Sequence, residues 1–237
     1  MVNKKTILRL VFLLIILFSG YQLFWNVKGD LDFQKGQEEI QAVKEDLNIE
    51  HASSRQAEIE KFNRLKAEVP HLVAWLSIPG AGIDFPVVQG SDNDYYLNHD
   101  YRGNYNPYGA PFLDKDNHSN FNDQNSIIYG HNVRDKKVFG ELTNYLDPTY
   151  LKKAPVIELL TEHGKEHYAI KCVYVVDPYA NFRSPHYEGQ EWQTFTGRWE
   201  DQNILNLPAP KPEDQLLTLQ TCAERDERLV IHGVKIK

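Results

Sequence analysis

Cysteine is nearly absent from this chain: 237 residues contain only Cys172 and Cys222. Two thiols are too few for the disulfide framework of a small secreted domain. An excess of basic charge is missing as well. The formal net charge is -7, whereas nucleic-acid binders need a basic face, so nucleic acid is not an expected partner. Clustered metal ligands are also lacking. "HGKEH" sets His163 four residues before His167, but its glycine suits a hairpin turn and no carboxylate or cysteine co-ligand is evident, so no metal site is expected. What is present is enough apolar and aromatic residues for a real core, and a length that suits one domain plus an accessory segment.

The N-terminus opens with Lys4, Lys5 and Arg9, and an apolar run extends from Ile7 to about Trp25. That run is close to the roughly 20 residues a helix needs to cross a bilayer. Basic residues precede it and acidic ones follow from Asp30, which places the N-terminus in the cytoplasm and the remainder outside the cell membrane as a single-pass protein. A cleaved signal peptide is the rival reading, but Tyr21 to Trp25 prolong the apolar character past Ser19 and Gly20 and suit a membrane interface. The expected organisation is a cytoplasmic N-terminus over 1–6, a transmembrane anchor over 7–27, a helical spacer over 28–69 and a folded domain over 70–237. In the spacer, Ile40, Val43 and Leu47 recur at helical spacing, as do Ile59, Phe62, Leu65 and Val69. A break near His51, with Ser53 and Gln56 as a capping box, predicts a second helix there.

From Leu72 the texture changes to short β-rich segments separated by turn residues. Eight are evident: "LVAWLSI", "DFPVVQ", "APFLD", "SIIYG", "PVIELL", "HYAIKCVYVV", "QLLTLQTC" and "RLVIHGVKI". That number at that spacing predicts a mainly β, closed or nearly closed barrel. "YLNHDYRG" reads as a helical turn and "KKVFGELTNYLD" as a short helix. The long link from Val176 to Gln215 carries Trp192, Phe195 and Trp199 at helical spacing, so a helix lies inside it. A connection of that length is usually a wall or lid of a binding site.

The last two strands form a hairpin. If its pairing is symmetric about Arg225, Cys222 and Arg228 stand opposite each other, with Cβ atoms about 4.5–5.5 Å apart. A guanidinium beside a thiol favours the thiolate and stabilises an oxyanion formed nearby. Arg225, at the turn apex, is the competing cation. A cysteine enzyme also needs a proton donor and acceptor, usually histidine. His131 follows an apolar strand through Gly130, an arrangement that holds a side chain rigidly at a sheet rim. His232 lies on the final strand, on the same side as Arg228 by period-two counting, and is the runner-up.

"TLQTC", the arginine that opens the last strand, and "YGHN" upstream together resemble the sortases, cysteine transpeptidases of Gram-positive bacteria. "IIYGHNVRDKKVFGELTNYLD" and the helix-bearing loop before the cysteine strand are similar to class B. The resemblance covers roughly residues 70–237 and the membrane-anchor plan. It implies a closed eight-stranded sortase-type β-barrel with N-terminal helices. It also implies that Cys222 is the nucleophile, that His131 is the general acid and base, and that Arg228 positions substrate and stabilises the oxyanion. Thr221, Gln220 and Leu97 are the implied substrate-binding residues. The implied substrate is a C-terminal sorting signal of the NPxT or LPxT style on a surface protein or pilin, cleaved after Thr through a thioester. The acceptor is an amine of the peptidoglycan cross-bridge or a pilin lysine. No cofactor is required by this chemistry. One departure is that the class B segment between cysteine and arginine is longer than the one here.

Other readings share the residues. A cysteine peptidase, whose acyl-enzyme is taken by water, uses the same Cys–His–Arg set. A non-catalytic module would pair Cys222 with Cys172. Within the family, wall anchoring competes with pilus assembly; no Asp-Pro-Trp-type lid motif precedes the barrel.

Overall fold

The computed structural model describes residues 3–46, 54–132, 137–180, 182–222 and 227–236, with Cys222 described by its backbone. The chain divides into two compact units, residues 1–42 and 43–237. The first is supplied by α1 (Lys4–Asp46). No proline interrupts this segment, and the helix continues through the expected anchor–spacer boundary at 27/28. Its most apolar 18 residues have a mean hydropathy of 2.1, and the large apolar side chains from Ile7 to Val27 are exposed. The helix is long and apolar enough to cross a membrane.

In the second unit α2 (Arg55–Glu68) is capped by Ser54, whose Oγ accepts the Ala57 amide at 3.2 Å. The cap therefore falls one residue later than the Ser53 capping box; Ser53 and His51 lie outside the described residues. Phe62 and Leu65, on the predicted helical stripe, are fully buried, and each such side chain contributes about 1.5–3 kcal/mol by leaving water.

Eight strands follow: β1 (Leu72–Ile78), β2 (Ile83–Val88), β3 (Phe112–Leu113), β4 (Asn125–Tyr129), β5 (Val156–Thr161), β6 (Gly164–Val176), β7 (Leu216–Cys222) and β8 (Arg228–Lys235). They close into a barrel in the order β1-β2-β3-β4-β7-β8-β6-β5, which leaves no open edge to pair with another chain. The β2–β3 and β4–β7 pairs are parallel and the others antiparallel. β4 is buried along its whole length, which is why "SIIY" reads as a continuous run and not as an alternation.

Further helical elements complete the unit, among them a 3-10 helix over Pro148–Lys152. A 3-10 turn spans Tyr95–Leu97. The expected helix in "KKVFGELTNYLD" is a 3-10 helix over Gly140–Leu146. There Thr143 Oγ1 donates to the Gly140 carbonyl at 2.7 Å, a local bond that competes with regular α-helical pairing. The helix expected in the long loop is α3 (Gly189–Gln202). Its Phe195 and Trp199 are buried against Cys172, Tyr174, Phe182 and Leu216, while Trp192 is only partly covered. The loop is thereby packed against β6, β8 and β7.

Candidate active site

β7 brings two neighbours to one place. It runs parallel to β4, with Tyr129 level with Gln220. One step on, the Gly130 amide donates to the Gln220 carbonyl at 3.1 Å. His131 and Cys222 each lie two residues beyond that paired level. On its other side β7 pairs with β8, and Cys222 is the direct partner of Arg228. The symmetric hairpin expected from sequence is the one observed, and Arg228 rather than the turn apex stands opposite the cysteine. Arg225 lies outside the described residues.

The glycine before His131 is required by packing. A Cβ at Gly130 would overlap the Phe139 ring, and Phe139 is itself fully buried. That ring fixes the direction in which the chain leaves β4. The His131 imidazole is then held by its Nε2, 2.6 Å from the Leu97 carbonyl oxygen. A carbonyl only accepts, so Nε2 carries the proton. Among the described residues Nδ1 has no partner. Leu97 thus reaches the site through its backbone, while its side chain is exposed. The segment that presents this carbonyl is braced by Gly109, whose φ of 60° is left-handed and whose missing Cβ leaves room for the Tyr96 and Leu97 carbonyls.

The other predicted residues divide. Gln220 is buried, and its Oε1 accepts from Arg183 Nε at 2.6 Å. Thr221 is buried, and its hydroxyl has no partner among the described residues; the structure does not bring it to the surface. His232, the runner-up histidine, is enclosed. Its Nε2 meets Tyr174 Oη at 2.9 Å, its Nδ1 meets Thr218 Oγ1 at 2.7 Å, and its ring stacks on Trp199. Burial, assisted by the Arg198 charge, lowers its pKa to about 3, so it is neutral at physiological pH and has no access to substrate. Cys172 is also fully buried, and burial pushes its thiol pKa up.

Sequence reasoning missed a polar group beside this site. Tyr129 Oη donates to Asp114 Oδ2 at 2.5 Å, and Asn93 Nδ2 donates to the same oxygen at 3.1 Å. Burial first, then the Asp114 bond, raises the Tyr129 pKa, so the phenol stays protonated and remains a donor. Arg183, from the long β6–β7 loop, lies within electrostatic reach of Tyr129, Asp114 and Arg228. The available signal was the loop length, which identified a wall without identifying the residue. A cavity of about 480 Å³ occurs elsewhere, lined in part by Lys44, Trp75, Asp84, Glu158 and Lys165. Its charges pair with one another, Lys44 with Asp84 at 2.8 Å and Lys165 with Glu158 at 3.1 Å, and His131 is not part of it. Among the described residues no group of three or more His, Cys, Asp or Glu is placed to hold a metal ion.

A barrel whose β7 ends in a cysteine opposite an arginine, beside a strand delivering histidine, defines a cysteine acyl-transfer enzyme. The sequence model of the sortase domain matches residues 76–236, and the chain belongs to the sortase family. It is a cysteine transpeptidase similar to class B. Sortase B of Staphylococcus aureus (strain NCTC 8325 / PS 47) is 26% identical over 98% of this chain and 96% of its own length. Sortase B of Listeria monocytogenes serovar 1/2a (strain ATCC BAA-679 / EGD-e) is 29% identical over 95% and 94%. Among solved structures, the Staphylococcus aureus sortase B–substrate complex superposes with a TM-score of 0.73 at 26% identity, covering 86% of this chain and 94% of that one. A sortase B complexed with triglycine gives 0.74 at 26%, covering 90% and 99%.

Proposed function

We propose that this enzyme cleaves a C-terminal sorting signal of the NPxT or LPxT style after its threonine and joins the new carboxyl end to an amine. The Cys222 thiolate attacks the threonine carbonyl carbon, and Arg228 stabilises the oxyanion. The C–N bond then breaks as His131 protonates the leaving amine, and a thioester remains. An acceptor amine attacks that thioester, His131 takes its proton, and the thiolate departs. With Nε2 bound to Leu97, Nδ1 is the nitrogen that exchanges the proton. Gln220 and Leu97 flank the bound peptide, and Thr221, whose hydroxyl is buried, meets it only through its backbone.

The observation that carries this reading is the Cys222–Arg228 pair on a strand that runs beside the one ending at His131. The substrate and triglycine complexes of related sortase B proteins support a peptide donor and an amine acceptor. Residues 7–27 anchor the enzyme, residues 1–6 stay in the cytoplasm, and 28–69 space the catalytic domain, 70–237, outside the membrane. That placement suits attachment of surface proteins to the peptidoglycan cross-bridge. Pilin polymerisation through a lysine amine uses the same acyl-enzyme and is the second reading.

The test incubates the detergent-solubilised chain with NPxT- and LPxT-type peptides and triglycine, followed by mass spectrometry. A thioester on Cys222 and a triglycine-linked product are expected, and both vanish in Cys222→Ala. Hydrolysis that no amine acceptor diverts would instead mark a peptidase.

A further inference from the structure

The β6–β7 loop meets the catalytic strands through Arg183. Its Nε donates to Gln220 Oε1 at 2.6 Å and its Nη1 to the Pro178 carbonyl at 2.9 Å. The guanidinium lies 4.2 Å from the centre of the Phe182 ring, and Phe182 is fully buried in the cluster with Phe195 and Trp199. Gln220 is the residue whose backbone carbonyl receives the Gly130 amide, and it precedes Cys222 by two positions on β7. One guanidinium is therefore bolted to the strand pair that carries both reacting side chains.

Those two hydrogen bonds leave it under-used. A guanidinium has five N–H donors in a fixed fork, and among the described residues the remaining three have no hydrogen-bond partner. Arg183 is partly buried, and burial lowers its pKa, with the neighbouring Arg228 charge acting in the same direction. Asp114, the nearby carboxylate, is already occupied by Tyr129, Asn93 and the Asp116 amide. A partly desolvated cation with donors left over among the described residues is open to acceptor oxygens from a ligand. The fixed residues of the proposed motif, Asn or Leu, Pro and Thr, carry no carboxylate, so the oxygens that every such extended peptide offers there are main-chain carbonyls.

We infer that Arg183 is a substrate-binding residue: held rigid by Gln220, it donates to a main-chain carbonyl of the sorting peptide on the acyl side of the scissile bond. This rests on the transpeptidase reading above. Arg228 then serves the reacting carbonyl and Arg183 the peptide leading to it, two guanidinium groups with separate tasks. Lysine does not replace Arg183, because one ammonium cannot span Gln220 and the peptide in the geometry of a fork.

The experiment compares steady-state kinetics of the full chain with Arg183→Ala, Arg183→Lys, Gln220→Ala and the Arg183→Ala/Gln220→Ala double variant. Melting temperature and the rate of Cys222 alkylation by iodoacetamide are measured alongside. Arg183→Ala and Arg183→Lys are expected to raise KM for the peptide about tenfold or more, the loss typical of a charge-assisted hydrogen bond. Turnover at saturation and alkylation rate should change less than about threefold. The double variant should match Arg183→Ala, since Gln220 acts through the arginine. An unchanged KM in folded Arg183→Ala overturns the inference, as does a parallel fall in turnover, alkylation and melting temperature with KM retained. If Arg183→Ala does not fold, Arg183→Lys decides by the same KM criterion. A wild-type chain that turns over neither peptide sinks the transpeptidase reading and this one together. A wild type that turns over while Arg183→Ala keeps its KM sinks this one alone.

Discussion

His131 Nε2 lies 2.6 Å from the Leu97 carbonyl oxygen, so a backbone group 34 residues upstream selects the tautomer of the imidazole. The bond matters for the proposed role of His131, because a general acid–base residue works only in the orientation and protonation pattern its partner imposes. It also gives the 3-10 turn over Tyr95–Leu97 a task that its sequence does not announce.

Gly109→Ala tests that link without touching either residue. The new methyl would collide with the Tyr96 and Leu97 carbonyls, at a position whose φ is 60°. We expect turnover to fall about tenfold or more, with a smaller change in KM, because misplacing a catalytic group by an ångström costs on the order of 10²-fold. Steady-state kinetics with a folded-state check by circular dichroism gives the answer; unchanged turnover would mean the carbonyl does not orient His131.

Arg228 stands opposite Cys222 in the β7–β8 ladder, which predicts two separable effects. Arg228→Ala should reduce kcat/KM by about 10²–10³, the usual loss on removing an oxyanion donor. It should also raise the apparent thiol pKa in a pH series of iodoacetamide alkylation, since the cation favours the thiolate. A variant with wild-type kinetics would transfer the role to another cation.

The two cysteines should behave as different chemical species. Cys172 is fully buried and burial holds its thiol protonated, so the native chain should take up one equivalent of alkylating reagent at neutral pH, on Cys222. The second equivalent should appear only in denaturant. Peptide mapping distinguishes the sites, and a Cys172–Cys222 disulfide in the native protein would exclude the catalytic reading.

His232 predicts an acid limb in stability. Its pKa is lowered to about 3 in the folded chain, against about 6.5 when unfolded. The unfolded state therefore binds the proton first as pH drops. This contribution is complete above about pH 6.5 and is lost toward pH 3, at about 1.4 kcal/mol per pH unit. Urea unfolding at pH 7 and pH 5 should show a loss of roughly 2 kcal/mol from this group, and His232→Gln should show a correspondingly shallower pH dependence. Equal slopes in both proteins would contradict the assignment.

Much of the barrel was legible in the chain. β1 matches its predicted segment end to end, and the other strands lie at or within a few residues of theirs, because β-branched and aromatic runs bounded by turn residues leave few alternatives. The Cys222–Arg228 register was legible too, since a hairpin's short loop fixes its pairing locally. The helix cap shifted from Ser53 to Ser54, as adjacent serines offer equivalent oxygens and only backbone geometry chooses between them. Thr221 was expected at the peptide, but its hydroxyl is buried; neighbours on one strand face opposite ways.

What the sequence by itself determined is therefore local: an apolar N-terminal helix, eight strands, a hairpin that sets Arg228 opposite Cys222, and the family these signatures mark. The tertiary structure decided what depends on contacts between distant segments. Parallel pairing of β4 with β7 brought the His131 strand to the cysteine strand, and burial under α3 enclosed His232. The Leu97 carbonyl and the Arg183 guanidinium were placed by loops whose composition carries no periodic signal. Their positions follow from packing against Gly109, Phe182 and Gln220, interactions that exist only once the barrel has closed.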